Sequence, residues 1–300
     1  MMPPHDKAAL TRPTDKGDVL QVVGDRESFV LRPTSWAGGA SDVGLRHAPN
    51  QDAIAMAAGT TQDAQPVAVA CVSDGVSTSP HSEEASALAV ETACAFLAER
   101  LRDAPDNFNL PDAIAEAFAR ANACVIEAAG TAVVGTWACT LVVAVAWHDR
   151  VVIGNVGDSR CYWMPDNGEP KALSTDDSIA QAQIDLGVTR EVAEASSGAH
   201  AITKWLGPGA QTVQPSLSSM AVTEDGWLLT CSDGLWNYAS DPETMAEALR
   251  DAVDAETKDF QDPPAWSVCC QLVDWANTLG GHDNIAVTLL RLKPAFGELD

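Results

Sequence analysis

Residues 67–75, Val-Ala-Val-Ala-Cys-Val-Ser-Asp-Gly, decide how this chain is interpreted. A short, unbroken apolar run is typical of a strand buried on both faces, and Asp-Gly is a turn pair that ends it. Residues 227–234, Trp-Leu-Leu-Thr-Cys-Ser-Asp-Gly, repeat this form. The two runs predict two buried strands that each end in an aspartate, at Asp74 and Asp233.

The regions around these runs predict two groups of strands, each accompanied by a pair of helices. Apolar residues at helical spacing place the first pair at 82–103 and 112–129, and the second pair near 240 and at 264–279. Hairpin-like joins favour antiparallel sheets, and the pattern as a whole predicts an α+β domain with helix pairs packed on sheets. The other strands are expected at 35–44, 52–58, 139–147, 151–156, 161–164 and 284–292.

The two ends of the chain are expected to lie outside this domain. Residues 1–35 hold several prolines and many charges, which predicts a flexible tail with at most a short strand at 18–23. The domain itself is expected to cover 36–293, followed by a short tail at 294–300. Within the domain, residues 165–215 form a long irregular segment of the kind that often carries function, with short helices expected near 178–186 and 190–195.

Composition excludes several classes of function. The 300 residues contain 18 Lys and Arg against 42 Asp and Glu, a net charge of −24. Such a surface repels phosphate backbones and anionic lipid, so neither a nucleic acid nor a membrane is expected as a partner. The N-terminal region lacks an apolar export segment. Eight scattered cysteines without a Cys-x-x-Cys pair indicate free thiols in a reducing compartment, so we expect a cytoplasmic protein.

Four aspartates share one local context. Asp52, Asp74, Asp233 and Asp283 each stand at the edge of a predicted buried strand. If these strand ends meet at one rim, the carboxylates repel one another unless a hard divalent cation such as Mg²⁺ or Mn²⁺ balances their charge. The alternative is that each Asp-Gly pair is an ordinary hairpin turn.

Six motifs in chain order resemble those of the metal-dependent serine/threonine protein phosphatases of the PP2C type (the PPM family), in a bacterial form. The resemblance covers about 36–293 and implies a four-layer α-β-β-α sandwich, with two antiparallel sheets facing each other and a helix pair outside each. The motifs that carry it are 44–53 (Gly-Leu-Arg-His-Ala-Pro-Asn-Gln-Asp-Ala), 72–76 with 82–86, 135–142, 155–162 (Asn-Val-Gly-Asp-Ser-Arg-Cys-Tyr), 232–236 and 281–285.

The resemblance also implies a metal centre that holds two Mn²⁺ or Mg²⁺ ions, with catalytic roles for Asp74 and Asp233. Asp74 would bridge both ions and the Gly75 carbonyl would bind the first. Asp52, Asp233 and Asp283 would hold the second. Asp158, together with Asp233, matches positions that bind a third, looser ion.

The activity implied is hydrolysis of phosphoserine and phosphothreonine in proteins by a metal-bridging water. Phosphorylated proteins would be the substrates and a serine/threonine kinase the opposing partner. A regulatory module on the same fold, which binds phosphoproteins but has little catalytic power, is the alternative. A phosphatase dedicated to an anti-sigma-factor antagonist is a third possibility.

The sequence departs from the family pattern at several positions. His47 stands where a phosphate-binding arginine is usual, so the anion contact comes from the adjacent Arg46, from protonated His47, or from neither. Val76 replaces a histidine proposed in some members as general acid; His81 is either its substitute or a surface residue at a helix start. Asn237 replaces a common aspartate, which weakens the third metal and motivates the binding-module alternative.

Overall fold

A computed structural model describes residues 10–13, 19–22, 28–60, 66–102, 104–105, 107–131, 137–210 and 213–294. In these residues the strands form two sheets in which all neighbours are antiparallel. The first sheet contains seven strands, in spatial order β1 (Leu10–Pro13), β2 (Val19–Val22), β5 (Ala53–Thr60), β6 (Pro66–Ser73), β7 (Leu141–Trp147), β8 (Arg150–Val156) and β11 (Ser216–Ala221).

The second sheet contains six strands and has both long central strands and short edge strands. Their spatial order is β10 (Lys171–Ala172), β9 (Arg160–Pro165), β12 (Gly226–Cys231), β13 (Ile285–Leu292), β4 (Ala37–Asp42) and β3 (Phe29–Leu31).

A helix pair covers the outer face of each sheet. Helices α1 (Ser82–Arg102) and α2 (Leu110–Ala129) pack on the first sheet, and α6 (Pro242–Glu256) and α7 (Ala265–Thr278) pack on the second. Three short helices, α3 (Ile179–Asp185), α4 (Arg190–Glu194) and α5 (Asp233–Trp236), lie in the connections. The predicted four-layer α-β-β-α sandwich is confirmed.

Strand β5 shows why the central strands are apolar along their whole length. Ala53, Ala55 and Ala57 point to the helix pair, while Ile54, Met56 and Ala58 point to the other sheet. Side chains alternate between the faces of a strand, so a strand in the middle of four layers buries both sets. This explains the unbroken apolar runs without polar alternation.

Helix α2 approaches the first sheet closely because one strand residue has no side chain. Ile114 and Phe118 are fully buried and pack on strand β8. A Cβ atom on Gly154 would lie 2.6 Å from Ile114 Cγ2 and 2.9 Å from Phe118 Cε2. Burying each of these two large side chains contributes about 1.5–3 kcal/mol, so this glycine position matters to the packing.

The N-terminal boundary differs from the one expected at residue 36. Strand β3 pairs with β4, and Leu31 is fully buried between the sheets. Strand β2, which corresponds to the short strand expected at 18–23, pairs with β5. The domain therefore includes chain assigned to the flexible tail, because strands of only three or four residues such as β2 and β3 carry a weak strand signal. Residues 1–9 and 295–300 lie outside the described residues.

The long segment 165–215 contains β10, α3 and α4. The two short helices occupy the places that the sequence predicts, whereas β10 and the neighbouring β11 were not predicted. Within the described residues, none of the helices has the length and apolar character needed to cross a membrane.

Candidate metal centre and active site

A cleft of about 420 Å³ lies where the ends of strands from both sheets meet. Four carboxylates line it, together with the 76–78 loop, Thr140 and the 200–202 stretch. No lysine or arginine is among the described residues that line this cleft. The carboxylates are those of Asp74, Asp158, Asp233 and Asp283. Four of the sequence-predicted ligands thus share one cavity.

Asp74 is held in place by Thr140, the residue directly before strand β7. The Asp74 N–H donates to Thr140 Oγ1 at 2.9 Å, and the Thr140 N–H donates back to the Asp74 carbonyl at 2.8 Å. Thr140 Oγ1 also lies 2.7 Å from the Ser159 hydroxyl, adjacent to Asp158. These contacts connect the backbone positions of Asp74 and Asp158.

Gly75 allows the chain to pass between two other segments. Its N–H donates to the Gln51 carbonyl at 3.1 Å. A Cβ atom at this position would lie 2.7 Å from the Ser82 carbonyl oxygen and 2.8 Å from that of Gln51. Only glycine fits there without a shift of the backbone, so packing requires a glycine directly after Asp74.

The two Asp-Gly pairs are not hairpin turns. After Asp74-Gly75 the chain runs through a loop into α1, and after Ser232 it enters α5 at Asp233. A Cβ atom on Gly234 would lie 1.9 Å from the Asn284 carbonyl oxygen, which requires glycine beside Asp233. The hairpin alternative is therefore wrong for both aspartates.

Asp283 and the loop before β5 are joined by Asn284. The Asn284 side chain accepts from the Gln51 N–H at 2.8 Å and donates to the Val43 carbonyl at 2.9 Å. Its backbone N–H donates to Asp283 Oδ1 at 2.8 Å. Asn284 thus fixes Asp283 against the segment that carries Asp52.

Asp52 is buried at the junction of the two sheets. The Ser232 hydroxyl donates to Asp52 Oδ2 at 2.5 Å, and the Asp52 N–H donates to Asn50 Oδ1 at 3.2 Å. Asp52 is not among the residues that line the cleft, but repulsion from Asp233 and Asp283 acts on it.

The carboxylates of this centre are hard to ionise together. Burial raises the pKa of Asp52, Asp74 and Asp158 well above the ordinary aspartate value, and repulsion from neighbouring carboxylates raises it further. Burial, followed by repulsion from Asp283, raises the pKa of Asp233 to about 6. Folding has therefore brought these carboxylates together in a cleft whose described lining contains no lysine or arginine.

This donor set fits a hard divalent cation such as Mn²⁺ or Mg²⁺, which prefers carboxylate oxygens and stabilises their charged form. The carboxylates face one cleft without forming a closed cage. Across the described ranges, no three His, Cys, Asp or Glu side chains converge as a finished metal-binding group. Asp52, Asp233 and Asp283 instead accept hydrogen bonds from Ser232, Asn237 and Asn284.

The predicted phosphate contacts, Arg46 and His47, are not among the residues that line the cleft. His47 Nε2 is 3.5 Å from Asp283 Oδ1, and the Arg46 side chain is exposed. His81 stacks on Trp137 with ring centroids 5.3 Å apart and lies 3.7 Å from Glu84, at the start of α1. Val76 lines the cleft, whereas His81 does not.

His200 is a cleft residue that the sequence analysis missed. It lines the same cavity as the four aspartates and lies 5.8 Å from Trp236, measured between ring centroids. It belongs to the irregular 165–215 segment, where no motif or period marks it.

The 165–215 segment is anchored by one buried arginine. Arg160 Nη2 donates to Asp176 Oδ2 at 2.7 Å and to Glu194 Oε1 at 3.2 Å. Its guanidinium lies 3.6 Å above the centre of the Trp236 ring. Trp236 Nε1 in turn donates to the Asp158 carbonyl at 2.9 Å. The segment, helix α5 and Asp158 therefore form one connected unit.

A model of the protein phosphatase 2C family matches residues 45–275, and the chain belongs to this family. Protein phosphatase PhpP of Streptococcus pneumoniae is 30% identical over 160 residues, which are 53% of this chain and 60% of PhpP. The match thus spans well under two thirds of that relative's length.

Two solved structures share the fold at comparable identity. The catalytic domain of the serine/threonine protein phosphatase PstP, in complex with two manganese ions, is 26% identical with a TM-score of 0.64, covering 85% of this chain and 96% of that one. The Ser-Thr phosphatase MsPP from Mycobacterium smegmatis, in complex with cacodylate, is 29% identical with a TM-score of 0.63, covering 85% and 97%.

Proposed function

We propose that this protein hydrolyses phosphoserine and phosphothreonine in proteins, in a reaction that depends on Mn²⁺ or Mg²⁺. The observation that carries the proposal is the convergence of Asp74, Asp158, Asp233 and Asp283 on one cleft without a lysine or arginine in its described lining. Membership of the protein phosphatase 2C family and the manganese ions of the PstP structure support the same activity.

Two ions would be held by the set that the sequence predicts: Asp52, Asp74, the Gly75 carbonyl, Asp233 and Asp283. Asp74 would bridge them and Asp158, with Asp233, would hold a third. When bound, such ions supply an activated water and offset the charge on the phosphoryl oxygens.

The chain's own residues prepare this centre. Thr140 fixes Asp74, Ser232 fixes Asp52, and Asn284 fixes Asp283. Rigid placement of carboxylates that repel one another favours ion binding, because the energetic cost of bringing them together is met during folding. Asp74 and Asp233, to which the family resemblance assigns catalytic roles, both lie in the cleft, and we expect catalysis to depend on them most.

Arg46 and His47 would contact the substrate phosphate. His47 lies 3.5 Å from Asp283, a cleft residue, so we expect its imidazole to meet a phosphate oxygen, and exposed Arg46 would add positive charge. Histidine lacks the forked geometry of arginine, so we expect weaker phosphate binding than a bidentate arginine gives.

Phosphorylated proteins in the cytoplasm would be the substrates, opposed by a serine/threonine kinase. The catalytically weak binding module is motivated by the missing arginine at position 47 and by Asn237, but the retained aspartates favour the enzyme. These are Asp52, Asp74, Asp233 and Asp283. It becomes the leading alternative only if the experiment below fails.

The experiment is hydrolysis of a phosphothreonine peptide by chelator-treated protein, with and without Mn²⁺. Three proteins are compared: wild type, Asp233→Ala and Asp149→Ala. Asp149 lies in the turn between β7 and β8. Thr140 and Asp158 lie at the opposite ends of these two strands, so Asp149→Ala removes a carboxylate far from the cleft and is a matched control. We expect turnover that requires Mn²⁺, is lost in Asp233→Ala and is kept in Asp149→Ala. Tight Mn²⁺ binding without turnover in the wild type would contradict the proposal.

A further inference from the structure

The cleft contains one imidazole. Among the described residues that line it, His200 is the only histidine, and Val76 has an aliphatic side chain that can neither bind nor release a proton. His200 is exposed, so a substrate that fills the cleft can reach it. The other lining groups that carry hydrogen-bond donors are the hydroxyls of Ser77, Thr78 and Thr140.

His200 is held at the cleft by tertiary contacts. An isolated bridge pairs Ser178 with Ile202, and the Thr203 N–H donates to the Asp177 carbonyl at 2.7 Å. The imidazole packs beside Trp236, the ring that also supports Arg160. The backbone that follows His200 and the Trp236 ring beside it therefore both belong to the connected unit of the 165–215 segment, helix α5 and Asp158.

Charges around His200 come from the aspartates on the cleft wall. Burial and then Asp283 raise the pKa of Asp233 on α5, and the charge of His200 acts on that carboxyl in the opposite direction. Asp74, Asp158 and Asp283 line the same cavity from the other elements.

We propose that His200 gives a proton to the departing serine or threonine oxygen, an inference that rests on the proposed phosphatase activity. In an in-line displacement the leaving oxygen lies opposite the attacking water. His200 lines the same cleft as the carboxylates, so its imidazole lies in the cavity that the leaving oxygen would occupy.

The bond between phosphorus and the substrate Oγ breaks, and its electron pair goes to Oγ. Oγ takes a proton from the His200 imidazole. The water forms the new bond to phosphorus and releases one proton to solvent, and His200 is reprotonated from solvent. A positioned general acid of this kind contributes about 10²- to 10⁴-fold in rate.

The test compares two substrates whose leaving groups differ in basicity. An alkoxide needs a proton as it leaves, whereas the nitrophenolate of p-nitrophenyl phosphate does not. With Mn²⁺ present, His200→Gln should lower kcat for a phosphothreonine peptide about 10²-fold or more while leaving kcat for p-nitrophenyl phosphate nearly unchanged. Glutamine keeps a hydrogen-bond donor but cannot act as an acid at neutral pH.

The matched control is His81→Asn, which changes a histidine outside the cleft and keeps a residue that tolerates its positive φ of 63°. It should leave both substrates unaffected. Calorimetric Mn²⁺ binding and the thermal unfolding midpoint of His200→Gln should match the wild type, which excludes loss of the metal centre or of folding.

Three results would overturn the assignment. Equal loss of kcat on both substrates would indicate that His200 acts on the phosphoryl group instead. Wild-type rates for His200→Gln on both substrates would exclude any catalytic part. Wild-type protein that binds Mn²⁺ but hydrolyses neither substrate would contradict the proposed phosphatase activity itself, and the role of His200 with it.

Discussion

The Ser232 hydroxyl donates a 2.5 Å hydrogen bond to Asp52 Oδ2 and thereby joins the two sheets at the candidate metal centre. Ser232 follows β12 of the second sheet, and Asp52 precedes β5 of the first. The same hydroxyl accepts from the Ala286 N–H at 2.9 Å. One serine therefore couples the placement of a predicted metal ligand to the pairing of the strand that follows Asp283.

Ser232→Ala should weaken both folding and metal binding. The change removes the Ser232 hydroxyl from both the buried Asp52 carboxyl and the Ala286 N–H, and an unsatisfied buried group costs about 1–3 kcal/mol. We expect a lower free energy of unfolding in urea and a raised Kd for Mn²⁺ by calorimetry. Ser267→Ala, which removes a buried serine bonded only to Pro264 in its own helix, is the control. Unchanged Mn²⁺ affinity in Ser232→Ala would contradict the predicted role of Asp52.

The stability of the metal-free protein should rise as the pH falls from about 7 to 5. The pKa of Asp233 is raised to about 6 in the folded state, above the value of an unfolded aspartate. The folded protein then binds more protons than the unfolded chain in this window, so acidification favours folding. The raised pKa values of Asp52, Asp74 and Asp158 act in the same direction.

Urea unfolding in the presence of chelator, measured at several pH values, checks this dependence. Asp233→Asn removes one of the groups, so its advantage in stability over the wild type should shrink as the pH falls. A wild-type stability that increases from pH 5 to pH 7 without metal would show that these carboxylates are not crowded in the folded state.

Arg160 should be among the most costly residues to replace. It is buried and binds Asp176, Glu194 and the Ser240 carbonyl while stacking on Trp236. Removing one partner of a buried ion pair costs about 3–5 kcal/mol, so Arg160→Ala should lower the free energy of unfolding by that order.

The control for Arg160→Ala is Arg190→Ala, which removes a partly exposed partner of the same Glu194. Exposed pairs contribute less than about 1 kcal/mol, so this variant should unfold near the wild type. Limited proteolysis should cut the 165–215 segment faster in Arg160→Ala only. Equal stability of the two variants would exclude the anchoring role of Arg160.

Asn237→Asp should strengthen binding of an additional ion. The Asn237 amide donates to Asp233 Oδ2 at 3.2 Å, so an aspartate there would place a second carboxylate against Asp233. The added charge should raise the number of Mn²⁺ ions bound per chain, measured by equilibrium dialysis, and destabilise the metal-free protein. Asn237→Ala, which removes the amide without adding charge, should do neither. The proposed third site near Asp158 would be wrong if Asn237→Asp bound no more Mn²⁺ than Asn237→Ala.

The sequence predicted the parts of the fold that are buried on both faces. Strands β5 and β6 have continuous apolar runs because helices cover one face and the other sheet covers the second. Edge strands leave no such signal: β11, Ser-Leu-Ser-Ser-Met-Ala, is polar and half-exposed and is recognised only by its pairing with β8. Strand β3, Phe-Val-Leu, is apolar but only three residues long, and it lies before the boundary that we expected at residue 36.

The candidate site was predictable where local motifs carry it. Asp74 and Asp233 end strands in a repeated Ser-Asp-Gly phrase, and the structure brings both to one cleft. His200 has no comparable mark, since it reaches the cleft through tertiary contacts of an irregular segment. Asn284 lies inside the 281–285 motif, but the motif does not indicate which distant backbone groups its side chain binds, because that depends on the tertiary fold.

The most direct test is to titrate Mn²⁺ into chelator-treated wild-type protein while measuring bound ions and phosphate release from a phosphothreonine peptide in the same samples. A centre built by carboxylates from both sheets predicts no release without metal and turnover that appears as the second ion binds. Release at full rate with chelator present, or two tightly bound ions without any release, would contradict a metal-dependent phosphatase.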